Sequence, residues 1–400
     1  MLPAALTTLL VSLTFLFTGS PDVNTVPVPS APALRFELRH LHAVSSSAHV
    51  VFADVPQQAG ILSENSHSLQ TRTISTWKPP SFALHAQARE RSVRFGQSLD
   101  FPWEEDEVVA PDVESQNTLL EQVPLTKPRL AKMSNNAYVD FNETGWYELG
   151  ANWSVSYPFG WEPDADGFRG HVFATPDNGT VVLALKGTSA GLLGGGGPTA
   201  KKDKLNDNLL FSCCCARVDW TWTAVCGCHR GGWKCDQNCL ESALIEDSLF
   251  YPVGTNLYNN LTYMYPQSDI WIIGHSLGGA LASLLGATFG SPPSTLHITH
   301  VYHNADPIAM GTCNGVLSSC ALAGFAMESR CHLGSSIVYD TVSNLSWSVD
   351  VRTHGIVNVI EKVLTDPWLP AVEIGREVPE AHPEEDCVEC YSWEFGDFPA

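Results

Sequence analysis

One serine of this chain sits where a serine can be made nucleophilic. In Gly274-His275-Ser276-Leu277-Gly278-Gly279 the hydroxyl of Ser276 lies between glycines two positions away on either side. That spacing lets a strand turn into a helix too tightly for bulky neighbours, and it lifts the serine onto the sheet edge above the helix N-terminus. A serine hydroxyl attacks an ester only when a base takes its proton and an acid holds that base. In folds built on this turn the chain order is serine, acid, histidine. Asp306 is the first well-placed acid downstream, with Asp340 as the alternative. Three histidines follow Asp306, namely His332, His354 and His382. His332 abuts Cys331, and His382 lies in a Pro/Glu-rich tail. His354 precedes the last amphipathic helix on a loop able to return over the sheet edge. The expected catalytic set is therefore Ser276, Asp306 and His354. Two backbone N–H groups must meet the oxyanion that forms. Leu277 supplies one, and Thr188, in the loop Gly187-Thr188-Ser189, supplies the other. His275 receives no role.

These side chains need a scaffold. His171-Val-Phe-Ala and Thr180-Val-Val-Leu-Ala-Leu read as strands joined by the turn Pro176-Asp177-Asn178-Gly179. Asp269 to Gly274 is a short apolar strand, and the small residues after Ser276 form a helix. Leu296–Tyr302 and Ser336–Tyr339 are β-prone, and residues 235–263 read as largely helical. Strands alternating with helices predict an α/β fold with a mainly parallel sheet. Ala190 to Leu210, with its glycine run and Leu209-Leu210-Phe211, suits either a cover over the site or a disordered insertion. The chain divides into a leader (1–19), an irregular N-terminal region (20–135) that includes the acidic run Trp103–Glu107, a catalytic domain (136–370) and a cysteine-containing tail (371–400).

A net charge of −21 excludes nucleic acid as a partner and opposes an electrostatic grip on anionic lipid. Leu2 to Phe17 is almost wholly apolar yet shorter than the ~20 residues a spanning helix prefers, so it fits a cleaved signal peptide or a retained signal anchor. Sequons at Asn142, Asn152, Asn178, Asn260 and Asn344, with 12 cysteines, place the chain in an oxidising lumen. There the cysteines pair as disulfides in preference to a zinc site built from Cys226, Cys228, His229, Cys235 and Cys239. The consecutive Cys213, Cys214 and Cys215 then reach different partners. No metal or organic cofactor is required for the expected chemistry.

The Gly274–Gly279 turn, Gly187-Thr188-Ser189 and the closing histidine resemble the class 3 (triacylglycerol) lipases. Asp203–Ala216, Leu257–Pro266, Ala305–Cys313, Tyr339–Val342 and Cys387–Gly396 narrow the resemblance to the fungal autophagy-related vacuolar lipases. The resemblance implies an α/β-hydrolase fold with disulfide-bonded insertions, and an N-terminal signal anchor giving a single-pass type II protein with a glycosylated lumenal domain. It further implies passage through endoplasmic reticulum, Golgi and multivesicular bodies to the vacuole. There the protein would hydrolyse membrane phospholipids and neutral lipids at vesicle surfaces and disintegrate autophagic bodies. The triad it implies falls on the same Ser276, Asp306 and His354. The family carries a further strand, with a Phe-Glu-Ala-Pro-Gly type motif, after the nucleophile helix. Here Thr288-Phe289-Gly290 runs directly into Ser291-Pro292-Pro293, so the strand leading to Asp306 is expected to lack a neighbour.

Overall fold

The computed structural model describes residues 126–139, 143–149, 167–189, 199–215, 225–244, 249–289, 297–376 apart from 316, and 378–398 apart from 385–386, together with strands at 37–44, 50–54, 71–78 and 104–111. The leader, Asn142, Asn152 and Ala190–Pro198 lie outside the described residues. In chain order the elements are β1 (Glu37–Val44), β2 (Val50–Asp54), β3 (Thr71–Lys78), β4 (Glu104–Pro111), α1 (Thr126–Asn136), β5 (Arg169–Ala174), β6 (Thr180–Leu185) and α2 (Ala200–Leu210). There follow β7 (Lys234–Asp236), α3 (Gln237–Leu244), α4 (Phe250–Met264), β8 (Asp269–Gly274), α5 (Leu277–Phe289), β9 (Thr299–His303), α6 (Ser319–Leu322) and β10 (Ser335–Tyr339). The chain closes with α7 (Thr341–Leu345), a 3-10 turn at Val351–His354, α8 (Ile356–Val359), a π-turn at Ile360–Leu364, α9 (Leu369–Val372), β11 (Ala381–Pro383) and β12 (Glu394–Gly396).

The main sheet has five strands in the order β2-β1-β5-β6-β8. Strands β5 and β6 alternate as a buried sheet must. Val172, Ala174, Val181, Leu183 and Leu185 face Val253, Leu257 and Leu261 of α4 and Leu277, Leu281 and Leu285 of α5. Phe173, Val182 and Ala184 face the opposite way, against Met133 and Ala137 and against Trp271. With both faces covered, every residue of β6 is buried.

The expectation of a mainly parallel sheet is corrected. Only β6 and β8 run parallel in it, while β1–β2, β1–β5 and β5–β6 are antiparallel. The physical reason is the short turn at 176–179, which joins β5 to β6 too closely for a crossover helix. The region 20–135, expected to be irregular, contributes β1 to β4. The acidic run opens β4, with Glu105 and Glu107 exposed on it.

A second sheet, β11-β10-β9, stands apart from the first. The division falls between β8 and β9, where the family's extra strand was found wanting in the sequence. Asp269 and Trp271 in β8 instead hold the backbone of Val109 in β4, through Val109 N–H to Asp269 Oδ2 at 2.9 Å and Trp271 Nε1 to the Val109 carbonyl at 2.8 Å.

The helix α2 settles half of the stretch expected to be a cover or a disordered insertion. Residues 200–210 are ordered and packed, with Asp203, Asn206, Asp207, Asn208 and Leu209 buried. Leu209 lies among Cys213, Cys214, Cys215, Cys228 and Cys235. Six disulfides join Cys213–Cys390, Cys214–Cys235, Cys215–Cys226, Cys228–Cys239, Cys313–Cys320 and Cys331–Cys387. The three consecutive cysteines do reach different partners, and the thiols of the alternative zinc site are all consumed. Among the described residues no helix is long and apolar enough to cross a membrane.

Candidate active site

The turn from β8 to α5 holds Ser276 at φ +58°, a left-handed conformation that a non-glycine residue adopts only under local constraint. The constraint is visible. A methyl group on Gly274 would overlap the backbone of Gly278 and Gly279, and one on Gly278 would overlap the carbonyls of Leu185 and Lys186. The Gly-x-Ser-x-Gly spacing is therefore demanded by contact of the turn with itself and with the end of β6. Gly278 N–H bonds the His275 carbonyl at 3.1 Å and Ala280 N–H bonds that of Ser276 at 3.0 Å, starting α5 beneath the serine. Leu277 opens the helix, so its N–H is one of the first-turn donors with no intrahelical partner.

The loop after β6 touches the serine from the other side. Gly187 lies so close to Tyr138 Oη, the His275 carbonyl and Ser276 Cβ that a side chain there would overlap them. This brings Thr188 beside the nucleophile turn. Its Oγ1 donates to Asp207 Oδ2 at 2.6 Å. Lys186, buried, donates through Nζ to Asp203 Oδ2 and to the Gly187 carbonyl, each at 2.9 Å, and Ser189 N–H adds a 2.8 Å bond to the same Asp203 oxygen. Two carboxylates one turn apart on α2 thus grip the 186–189 loop. Burial pushes the Asp207 carboxyl up to about 7 against the Thr188 hydrogen bond, and burial also lowers Lys186 from its ordinary value against the attraction of Asp203.

Asp306 lies in the turn after β9, and His354 ends the 3-10 turn before α8. Thr353 Oγ1 and Asp350 N–H both bond the Ala305 carbonyl, at 2.9 and 3.1 Å, so the two turns are tied together. His354 Nδ1 meets Asp306 Oδ2 at 2.7 Å. Burial raises the Asp306 carboxyl, but the hydrogen bond and charge of His354, with the Ile308 N–H, outweigh it and hold the group below its ordinary value. An ionised Asp306 requires the proton on Nδ1. Nε2 is then the basic nitrogen, and it is buried with no hydrogen-bond partner.

His275 connects the nucleophile turn to His354. Its ring lies 4.7 Å from that of His354, and its Nε2 bonds the His354 carbonyl at 2.9 Å. A carbonyl only accepts, so Nε2 carries the proton, and Nδ1 accepts from the Tyr138 hydroxyl at 2.9 Å. Burial lowers His275 to about 3, which keeps the ring neutral.

The structure therefore brings the Thr188 loop to the Ser276–Leu277 turn through Gly187, joins Asp306 directly to His354, and links that pair to the turn through His275. Asp340 serves elsewhere: it caps α7 through Ser343 N–H and accepts from Asn304. His332 pairs with Glu384 at 2.9 Å, and His382 is exposed in β11. Sequence reasoning missed Tyr138, Asp203 and Asp207, and it passed over His275. One signal was present, since Asp203 and Asp207 sit four apart on a short helix whose buried face is polar. Of the sequons, Asn178, Asn260 and Asn344 are exposed.

Comparison with known proteins gives the same chemistry a lineage. The family described as "Lipase (class 3)" matches residues 215–312. A protein of Cryptococcus neoformans named "Putative lipase ATG15" is 49% identical over 375 residues, covering 74% of this chain and 70% of that protein. Those of Mycosarcoma maydis and Saccharomyces cerevisiae, with the same name, are 48% and 44% identical over 309 and 323 residues. They are matched over 70% and 73% of this chain and 57% and 59% of their own lengths. No solved structure matches the chain.

Proposed function

Because the chain belongs to the ATG15 lipase family, we propose that it is a serine lipase acting on membrane phospholipids and neutral lipids in the vacuole lumen, where it disintegrates autophagic bodies and multivesicular-body vesicles. Ser276 Oγ attacks the ester carbonyl while His354 Nε2 takes its proton. Asp306 holds the imidazolium through Nδ1. The N–H groups of Leu277 and Thr188 receive the oxyanion. His354 then protonates the departing alcohol, and a water activated by the same nitrogen frees the fatty acid from the acyl-enzyme. The observation that carries this reading is the 2.7 Å contact of His354 Nδ1 with Asp306, which leaves Nε2 unpartnered, while the His354 carbonyl bonds His275, the residue before a left-handed serine.

Six disulfides and three exposed sequons support an oxidising lumen, and residues 1–19 serve in this reading as the signal anchor of a type II membrane protein. Residues 136–370 form the catalytic domain and 371–400 a tail fastened by Cys387 and Cys390.

The divided sheet favours a second reading, an inactive lipid-binding protein that keeps the turn but not the support behind it; a soluble esterase is the rival among enzymes. Fatty-acid release from phospholipid vesicles at mildly acidic pH, compared with Ser276→Ala, decides among them. The lipase loses at least ~1000-fold on substitution. Release that survives the substitution would sink Ser276 as the nucleophile. A folded protein that floats with vesicles and releases nothing would favour the inactive form, and one that cleaves only short soluble esters the esterase.

A further inference from the structure

The stretch after Asp306 differs from the rest of the chain in charge. From Pro307 to Met327 there is no acidic, basic or histidine side chain, in a protein that has 43 acidic and 22 basic residues. Such a run ordinarily goes into the core. Part of it does the opposite. Leu317 is 84% exposed, the highest value for a large apolar side chain among the described residues, and Leu322 is 75% exposed. Met310 is exposed as well.

These leucines stand on a built support. Cys313 and Cys320, both buried, close the hairpin with a disulfide. Ser318 caps α6 by accepting from Ala321 N–H at 3.1 Å. Leu317 then precedes the cap, and Leu322 lies four residues after it. Those two positions are neighbours across the first turn of a helix, where apolar side chains commonly meet. Here the pair faces water.

The hairpin has two feet, and both are parts of the candidate active site. On one side Ile308 N–H bonds Asp306 Oδ1 at 2.9 Å and Met310 N–H bonds the Asp306 carbonyl at 3.0 Å. On the other, α2 receives the returning segment 323–326. Lys204 Nζ donates to the Ala323 carbonyl at 2.8 Å, Asn208 Nδ2 to the Gly324 carbonyl at 3.2 Å, and Ala326 N–H to Asn208 Oδ1 at 2.8 Å. Asp207, the neighbour of Asn208 on that helix, holds Thr188. The hairpin thus spans from the acid of the triad to the helix that supports the oxyanion loop.

We propose that the disulfide-closed hairpin carrying Leu317 and Leu322 is a lipid-docking tip, which seats the catalytic face on a membrane by placing its leucines at the boundary between headgroups and acyl chains. The proposal rests on the lipase reading. An acyl ester has to leave its bilayer to meet Ser276, so a surface standing on Asp306 and α2 meets lipid whenever the enzyme works. With a net charge of −21 the chain gains nothing from anionic headgroups, and an uncharged apolar tip supplies the grip that charge cannot. A second copy of the chain is the competing occupant of an exposed apolar pair.

The test separates binding from hydrolysis. Flotation with phosphatidylcholine vesicles is measured on the compact unit Ala33–Ala400, which lacks the proposed anchor, in the Ser276→Ala background, with and without Leu317→Ser and Leu322→Ser together. Removing two leucines from the acyl boundary is expected to lower the apparent vesicle affinity about tenfold or more. In the active protein the same pair lowers the ratio of the rate on vesicles to the rate on a monomeric short-chain nitrophenyl ester by a similar factor. Leu317→Phe with Leu322→Phe keeps the tip apolar and retains flotation. Unchanged flotation of the serine pair overturns the proposal, as does an equal fall in both rates, which marks a structural role. A dimer that becomes a monomer in the serine pair, with flotation unchanged, assigns the tip to a second copy and also overturns it. If wild type cleaves neither substrate the lipase reading fails, while flotation still decides the tip.

Discussion

The carboxyl of Asp207 accepts the Thr188 hydroxyl, and burial moves it from its ordinary 3.8 to about 7. Lys186, Asp203, His354 and the Tyr138 hydroxyl are the ionisable groups in its field. The folded protein therefore holds a proton there that the unfolded chain releases. The stability it contributes is complete below 3.8 and is lost as pH rises through about 7. His171, lowered by burial to about 4, and His275, lowered to about 3, act on the other flank: their contribution falls as pH drops below 6.5. Asp207→Asn keeps the acceptor for Thr188 and removes only the titration. Melting temperatures of wild type should fall relative to this variant between pH 5 and 8. A constant difference across that range would show that another group titrates. At this scale Ser276, Asp306 and His354 were legible because glycine spacing and chain order are local signals. Asp207 was not, since nothing in a sequence shows that a helix will turn its polar face inward. His275 was passed over because a histidine beside a serine is usually packing, and its bond to the His354 carbonyl depends on a fold closure 79 residues away.

At the scale of elements, the nucleophile turn works because three backbone segments approach more closely than side chains permit. Gly187 is the tightest of these points, facing the His275 carbonyl and Ser276 Cβ together. Gly187→Ala must push the Thr188 loop away from Ser276. We expect the turnover rate to fall about 100-fold or more, the cost of a misplaced oxyanion donor, with the far-UV spectrum retained. Full activity in that variant would remove the loop from the oxyanion site. The strands flanking this turn were readable from their alternation and from the turn at 176–179. Their directions were not, since alternation reports a buried face and says nothing of which neighbour a strand takes. The strands β1 to β4 escaped notice because Pro, Ser, His and charge dilute the apolar period of 20–130. The segment that the resemblance finds missing after α5 was visible in the sequence, and among the described residues β8 and β9 belong to different sheets.

For the molecule as a whole, an even cysteine count and an expected lumenal setting foretold disulfides but not their pairing, which only the meeting of distant segments decides. The widest of them, Cys213–Cys390, joins residues 177 apart, and Ser276, Asp306 and His354 all lie inside that span. The lytic lumen proposed for this chain would expose it to proteases, and there the topology of this ring would have a survival value separate from its effect on folding. Any single cut between Cys213 and Cys390 leaves one piece holding each cysteine. The two pieces cannot part, and the three side chains of the proposed triad stay on one covalent body. A single proteolytic cut mapped between Cys213 and Cys390 should give shortened bands on electrophoresis only under reducing conditions, with vesicle hydrolysis outlasting that nick. Fragments from a cut inside that span released without reductant would mean the ring is open in the working protein. Closed, it makes the enzyme one that can be broken once and still be whole.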